Sequence, residues 1–259
     1  VITKPQFAPG LFVQKNPPSQ TDWCDIYCPY TISVNGFLWS VAMDNAERES
    51  LYASFREASI KEREARVAEL PKAYLSEKHM QNCDLVLNRM KLLGKLPKWA
   101  TVAELGVDRG GFSEHILNIT QPGKFHLVDL WNSDRYHEGL FEGVQAKFSN
   151  EISQGKVQIH RKDSISAAAD FPDAYFDWIY IDTTHMYSTT WHELRRYAPK
   201  MKPGGIIAGH DYNQGNWVGG LRYGVIEAVH EFCVEQNWEL IYLTAEFLES
   251  QSFAIRKIP

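Results

Sequence analysis

Val102-Ala-Glu-Leu-Gly-Val-Asp-Arg-Gly-Gly-Phe-Ser113 reads as the end of a strand, a tight glycine turn and the first turn of a helix. Glycines let a ligand approach the backbone, and the helix start beyond them presents unpaired N–H groups. A cofactor is therefore expected at this turn. In Gly106-Val-Asp108-Arg-Gly110-Gly111 the middle glycine of G-x-G-x-x-G is replaced by Asp108. A carboxylate there adds bulk and repulsion against a diphosphate. Glu104 adds a second acid, and the pair suits a ligand bearing a cation.

Outward from the turn, short apolar runs alternate with helical stretches from Trp99 onward, the pattern of an open parallel sheet covered on both faces. Strands are expected near 101–105, 125–129, 156–160, 177–182, 205–209, 238–243 and 252–256. The last two are separated by the short polar segment Thr244 to Gln251, too short for a crossover, so they should pair antiparallel. The expected fold is α/β and Rossmann-like, a seven-stranded, mostly parallel sheet with an antiparallel last strand. It occupies residues 96–259, preceded by an arm and helical appendage over 1–95.

Within that appendage, residues 1–40 mix Pro5, Pro9, Pro17, Pro18 and Pro29 with many aromatics. Prolines block ladders and helices while aromatics favour burial, so an extended arm is expected to pack on the main domain, to mediate a homo-oligomer, or to cover substrate. Asp44 and Glu47 suggest a capping box opening a charged surface helix that Pro71 ends. Met80, Cys83, Leu87 and Met90 recur at helical spacing and predict a second helix closed by Gly94, their stripe facing the core.

The totals suit a globular protein: 259 residues, 44% hydrophobic, 23% charged, formal charge −5. The absence of a basic excess disfavours nucleic acid as a partner. No apolar run is long enough to span a membrane. Four scattered cysteines, Cys24, Cys28, Cys83 and Cys233, read as reduced thiols rather than a disulfide framework, and Cys24 and Cys28 lack a second ligand pair for zinc. A cytoplasmic location is the expectation. A start at Val1 leaves a removed leader or a trimmed start open.

Asp129 closes the second strand, where the acid of a nucleoside site accepts hydrogen bonds from ribose hydroxyls; a strand-end cap is the competing role. Asp163 and Ser164 follow the third strand, where adenine contacts belong. Trp131 and Tyr136 either cover the adenine or pack in the ordinary way. The stretch Tyr212 to Tyr223 is polar, aromatic and glycine-rich, and reads as a substrate loop or a plain connector. In it Trp217 is placed to stack on an acceptor and Arg222 to meet an anion.

Residues from about 101 to 212 resemble class I S-adenosylmethionine-dependent methyltransferases, whose E-x-G-x-x-x-G turn is matched by Glu104, Gly106 and Gly110, and whose second-strand acid is matched by Asp129. More narrowly, Val128-Asp-Leu-Trp131, Ile181-Asp182-x-x-His185-x-Tyr187, Lys202-Pro-Gly-Gly205 and Gly209-His-Asp-Tyr212 resemble a bacterial branch that includes the macrolide and aminocoumarin sugar O-methyltransferases, macrocin O-methyltransferase among them. The resemblance implies S-adenosyl-L-methionine as cofactor, bound by Glu104, Gly106, Asp108, Gly110, Asp129, Leu130, Asp163, Ser164 and Asp182. It also implies a small-molecule hydroxyl as acceptor, a sugar within the named branch. In that branch acids at the ends of the fourth and fifth strands hold Mg2+ or another divalent metal. Asp182, Asp211 and His210 stand there, although Thr183, Thr184 and Tyr212 replace the second acids usual beside them.

Methyl transfer from a sulfonium is an in-line displacement, and a hydroxyl nucleophile must lose its proton. His185 or His210 is the expected base, with Asp182 or Asp211 as orienter or ligand. An oxidoreductase using a nicotinamide dinucleotide and a non-catalytic cofactor-binding module are the rival readings. Asp108 opposes the first; convergence of Asp182, His185, His210 and Asp211 at one mouth would oppose the second.

Overall fold

The computed structural model describes residues 32–34, 37–39, 45–216, 221–246 and 249–259. The expectations for residues 1–31, including Cys24 and Cys28, for the Asp44 cap, and for Trp217 and Gly220 lie outside the described residues. The chain divides into two compact units, residues 1–60 and 61–259. Residues 61–95, read above with the appendage, therefore belong with the sheet.

In the first unit, β1 (Ile32–Val34) and β2 (Phe37–Trp39) pair antiparallel, Ile32 opposite Trp39. The rest of the arm expected over residues 1–40 lies outside the described residues. Helix α1 (Asn45–Ala68), whose residues from 61 onward are counted with the second unit, is rich in Glu, Arg, Lys and Ala, good helix formers, and stops before Pro71 as expected.

In the second unit the described residues form an eight-stranded sheet. Its strands are β3 (Asp84–Val86), β4 (Thr101–Leu105), β5 (Lys124–Asp129), β6 (Val157–Arg161), β7 (Phe176–Ile181), β8 (Met201–Gly209), β11 (Trp238–Thr244) and β12 (Phe253–Lys257). The order is β3-β11-β12-β8-β7-β4-β5-β6. All neighbours are parallel except β12, which runs antiparallel to β11 and β8. A separate two-residue ladder joins β9 (Gly215–Asn216) to β10 (Leu221–Arg222).

The seven strands expected are all present, and β3 is an eighth. It replaces the second helix read from Met80 to Met90. Met80 and Leu87 are exposed, and Asp84 to Val86 pair with Tyr242 to Thr244 at the sheet's edge. Helical spacing over eleven residues was outweighed by main-chain pairing along an open edge. Only α2 (Arg89–Leu93) is helical here, capped by Asn88, whose side chain accepts from Lys91 N at 3.0 Å.

Helices α3 (Gly111–Thr120), α4 (Glu138–Lys147), α5 (Ser149–Ser153), α6 (Ser164–Ala167), α7 (Tyr187–Tyr197) and α8 (Val225–Gln236) complete the unit. Strand residues alternate between two buried layers. Trp178 and Tyr180 join Ile116, Val144 and Phe148, whereas Ile179 and Ile181 join Leu194, Val229 and Phe232. Burial on both faces explains the continuous apolar runs. From β4 the chain winds outward through β5 and β6, then returns to β7 on the other side of β4. The carboxyl ends of β4 and β7 thus flank the point where open α/β sheets bind ligands.

Candidate functional site

At that point Gly106 lies at φ +88°, and a Cβ on it would fall 1.9 Å from the carbonyl oxygen of Asp182. Asp182 N donates to Leu105 O at 2.7 Å, and Gly106 N donates to Val128 O at 2.9 Å. The glycine turn is therefore laced to the strand ends on both sides. Asp108 and Gly110 follow with positive φ, and α3 begins at Gly111.

Glu104 corrects the expectation of an open acidic pair. It is 1% exposed, and the Ser113 hydroxyl donates to it. Burial pushes its carboxyl well above the usual range, the Ser113 hydrogen bond opposing and Asp182 and Asp129 adding to the rise. It props the turn from beneath instead of facing a ligand with full charge.

Asp129 has more partners than its strand-end position suggests. One oxygen accepts from Val107 N at 2.8 Å and Asp108 N at 3.0 Å; the other accepts from Leu130 N at 2.6 Å and Trp131 N at 3.3 Å. The carboxylate fastens the glycine turn to the end of β5. Trp131 is 1% exposed, donates Nε1–H to Asp108 O at 2.9 Å and packs on Phe141. It supports the turn and is too buried to cover an adenine. Tyr136 is half-buried beneath the Arg135 guanidinium, and burial raises its phenol with Asp108 and Asp129 adding to the rise. Leu130 is exposed beside the turn. Asp163 is exposed and caps α6, accepting from Ser166 N at 2.9 Å, while the Ser164 hydroxyl turns inward to Glu193.

Across the mouth, β7 and β8 deliver Asp182, His185, His210 and Asp211. The ligand atoms of Asp182, His185 and Asp211 lie within 4.8 Å of one another. His185 Nδ1 is 2.9 Å from Asp211 Oδ2, with a quarter of the side chain exposed. His185 and Asp211 both sit at positive φ, a backbone that aims the two side chains at each other. His210 Nδ1 lies 3.2 Å from Asp211 Oδ2 and 3.8 Å from Asp182 Oδ2, while its Nε2 is buried with no partner. His210 thus spends its one paired nitrogen on the acids, and the compact donor group contains His185 in the place expected for His210.

Burial raises the Asp182 carboxyl, with His210 offsetting and Asp211 reinforcing the rise. Burial also opposes ionisation of Asp211, but hydrogen bonds from His185 and His210 outweigh it and hold that carboxyl well below the usual range. For His210, burial disfavours the cation, yet the Asp211 hydrogen bond and the charge of Asp182 prevail and raise its pKa.

Arg222 does not wait for an anion. Its side chain is 6% exposed, pairs with Glu227 and donates to the carbonyls of Tyr223 and Gln214. Tyr212 is likewise engaged, its hydroxyl 2.6 Å from His230 Nε2. The sequence reading missed Arg89, whose guanidinium lies 4.9 Å over Phe112, 4.0 Å from Asp182 and 2.9 Å from Glu249. Tyr223, the end of the stretch read as a substrate loop or connector, lies obliquely 4.9 Å from the His185 ring. Arg89 fell inside the stretch misread as a core helix, so no periodicity marked it.

Residues 103–212 match a family model described as a methyltransferase domain. No curated protein matches the sequence significantly. Among solved structures, a SAM dependent methyltransferase from Aquifex aeolicus superposes with a TM-score of 0.51 at 13% identity, covering 66% of this chain and 90% of that one. An rRNA methylase from Streptococcus thermophilus gives 0.48 at 10% identity, covering 66% and 95%. A tRNA methyltransferase from B. subtilis gives 0.48 at 13%, covering 67% of each chain. At such identities the likeness describes the fold. Among the described residues, no helix is long and apolar enough to cross a membrane.

Proposed function

We propose that this chain, of which residues 103–212 match a methyltransferase-domain model, is a class I S-adenosylmethionine-dependent methyltransferase that transfers the methyl group to a hydroxyl of a small molecule, with His185 as general base oriented by Asp211. The 2.9 Å contact between His185 Nδ1 and Asp211 at the carboxyl ends of β7 and β8 carries this reading. The residues present suit the donor: Asp129 fastens the glycine turn, Asp182 lies at the end of β7 beside Arg89 and Phe112, and Tyr136 lies within the field of Asp108, Asp129 and Asp182. S-adenosylmethionine, when bound, supplies an electrophilic methyl on a sulfonium. Asp211, ionised and nearly buried, holds the Nδ1 proton of His185, so that Nε2 is the lone pair left for the acceptor hydroxyl. His185 Nε2 would take the acceptor's hydroxyl proton as that oxygen receives the methyl group. A formal charge of −5 and the carboxylates at the mouth favour a small acceptor over nucleic acid.

Asp129 gives a test of the donor half. Asp129→Ala removes the acceptor of four backbone N–H groups and should weaken S-adenosylmethionine binding by about one to two orders of magnitude, the loss of charge-assisted hydrogen bonds and of the turn they shape. Titration calorimetry measures this directly. Unchanged affinity would remove Asp129 from the donor site.

A second reading is favoured by the donor group itself. Two carboxylates and an imidazole within 4.8 Å suit a divalent cation. Asp182, His185 and Asp211 would hold it, and it would acidify the acceptor hydroxyl. In that case a chelator abolishes methyl transfer while leaving donor affinity within about threefold; full activity in chelator selects the metal-free base.

A further inference from the structure

We propose that Glu193 is a positioning residue that locks the loop after β6 to the loop after β7, so that ordering of the cofactor's nucleoside end and of the acceptor base is one event. The proposal rests on the methyltransferase reading above for its functional meaning, but the lock itself is a property of the fold.

Glu193 lies on α7 and is completely buried. One carboxylate oxygen accepts the Ser164 hydroxyl at 2.5 Å, and the other accepts the Thr183 hydroxyl at 3.1 Å. Ser164 follows β6 and Thr183 follows β7, two loops separated in the sheet by β4 and β5. One turn further along α7, the buried Tyr197 donates its hydroxyl to the Ser164 carbonyl at 2.9 Å. Positions i and i+4 share a helix face. The same face of α7 thus grips Ser164 through side chain and main chain while holding Thr183, which stands next to Asp182 and two residues before His185.

A buried carboxylate is a costly way to join two hydroxyls. What it offers is symmetry: two acceptor oxygens facing two donors, with no hydroxyl left unpaired. Burial raises this carboxyl to about 7, the Ser164 and Thr183 hydrogen bonds and His185 opposing the rise and Asp163 adding to it. Tyr197, whose phenol burial pushes far upward, faces it from the same helix. The two hydroxyls it joins favour the ionised form, in which both oxygens accept.

The test uses single hydroxyl deletions, which spare the fold, together with Glu193→Ala and Glu193→Gln. Hydrogen exchange on the cofactor-free chain reads the lock alone. Ser164→Ala should speed exchange of amides 182–185 although it alters a different loop, and that long-range effect should vanish in the Glu193→Ala background. S-adenosylmethionine affinity and kcat then read the functional meaning. Ser164→Ala and Thr183→Ala should each weaken binding by about fivefold, combine to much less than the product of the two, and become independent once Glu193 is Ala. Glu193→Gln, which keeps one acceptor oxygen, should recover part of the loss. Exchange at 182–185 that ignores Ser164, or deletions that multiply independently with Glu193 present, would overturn the proposal. Coupled exchange in a wild-type chain that binds no S-adenosylmethionine would overturn the methyltransferase reading and keep the lock.

Discussion

His185→Ala should lower kcat by about two to four orders of magnitude, the range that a positioned general base contributes, while S-adenosylmethionine affinity changes by less than about threefold. The asymmetry follows from place. His185 lies beyond β7 on the acceptor side, whereas the glycine turn and Asp129 lie between β4 and β5. Asp211→Asn should fall nearly as far, because an amide no longer selects the tautomer with its proton on Nδ1. His210→Ala is the informative comparison. Its Nε2 is buried and its Nδ1 is committed to Asp211 and Asp182, so it can steady the acids, but its remaining nitrogen is closed off from an acceptor. A loss of about tenfold or less is expected there. Initial-rate measurements with a labelled methyl donor on the three variants decide the assignment, and a His210→Ala loss exceeding that of His185→Ala would exchange the two roles.

Much of this architecture is legible in the sequence because β4, β5, β7 and β8 are buried on both faces, and such strands read as mostly apolar runs, even where the buried Glu104 and His126 interrupt them. The antiparallel β12 was legible for a different reason: the eight residues from Thr244 to Gln251 are too few to make a crossover. Strand β3 was not, since three residues at an edge carry almost no pattern, and Met80 and Leu87 imitate a helical stripe while pointing to solvent. In the site, residue types pointed to the right places but not to their partners. Nothing in the string Glu104 to Ser113 shows that the acid lies under the turn rather than in its mouth. Nothing around Asp129 shows that four backbone donors converge on it. The positive φ values of His185 and Asp211 belong to residue types that enter such backbone more readily than most, but nothing in the sequence marks which of the many Asp and His residues do so. Glu193 reads as an ordinary charged helix residue until the loops packed on it are known.

The glycine turn gives the sharpest structural test, because two of its glycines differ both in backbone conformation and in what surrounds them. Gly106→Ala places a methyl group 1.9 Å from the Asp182 carbonyl oxygen and 2.6 Å from its carbon, with φ at +88°. Backbone atoms at the end of a central strand cannot rotate away as a side chain can. The positive φ alone costs an L-residue about 1–2 kcal/mol, and relieving the overlap means parting the end of β4 from that of β7, where Leu105 O accepts from Asp182 N. A loss of about 3 kcal/mol or more is expected, at the high end for a single substitution, together with loss of S-adenosylmethionine binding, since the displaced strand ends form the crevice. Gly111→Ala is the control. A Cβ there meets nothing within 4 Å, and the residue opens α3, where exchanging glycine for alanine gains about 0.5–1 kcal/mol. Urea unfolding midpoints should therefore move in opposite directions for two alanines five residues apart. A Gly106→Ala protein of unchanged midpoint that still binds the donor would mean that the close approach of Gly106 to Asp182 is not what fixes the spacing between donor turn and acceptor base.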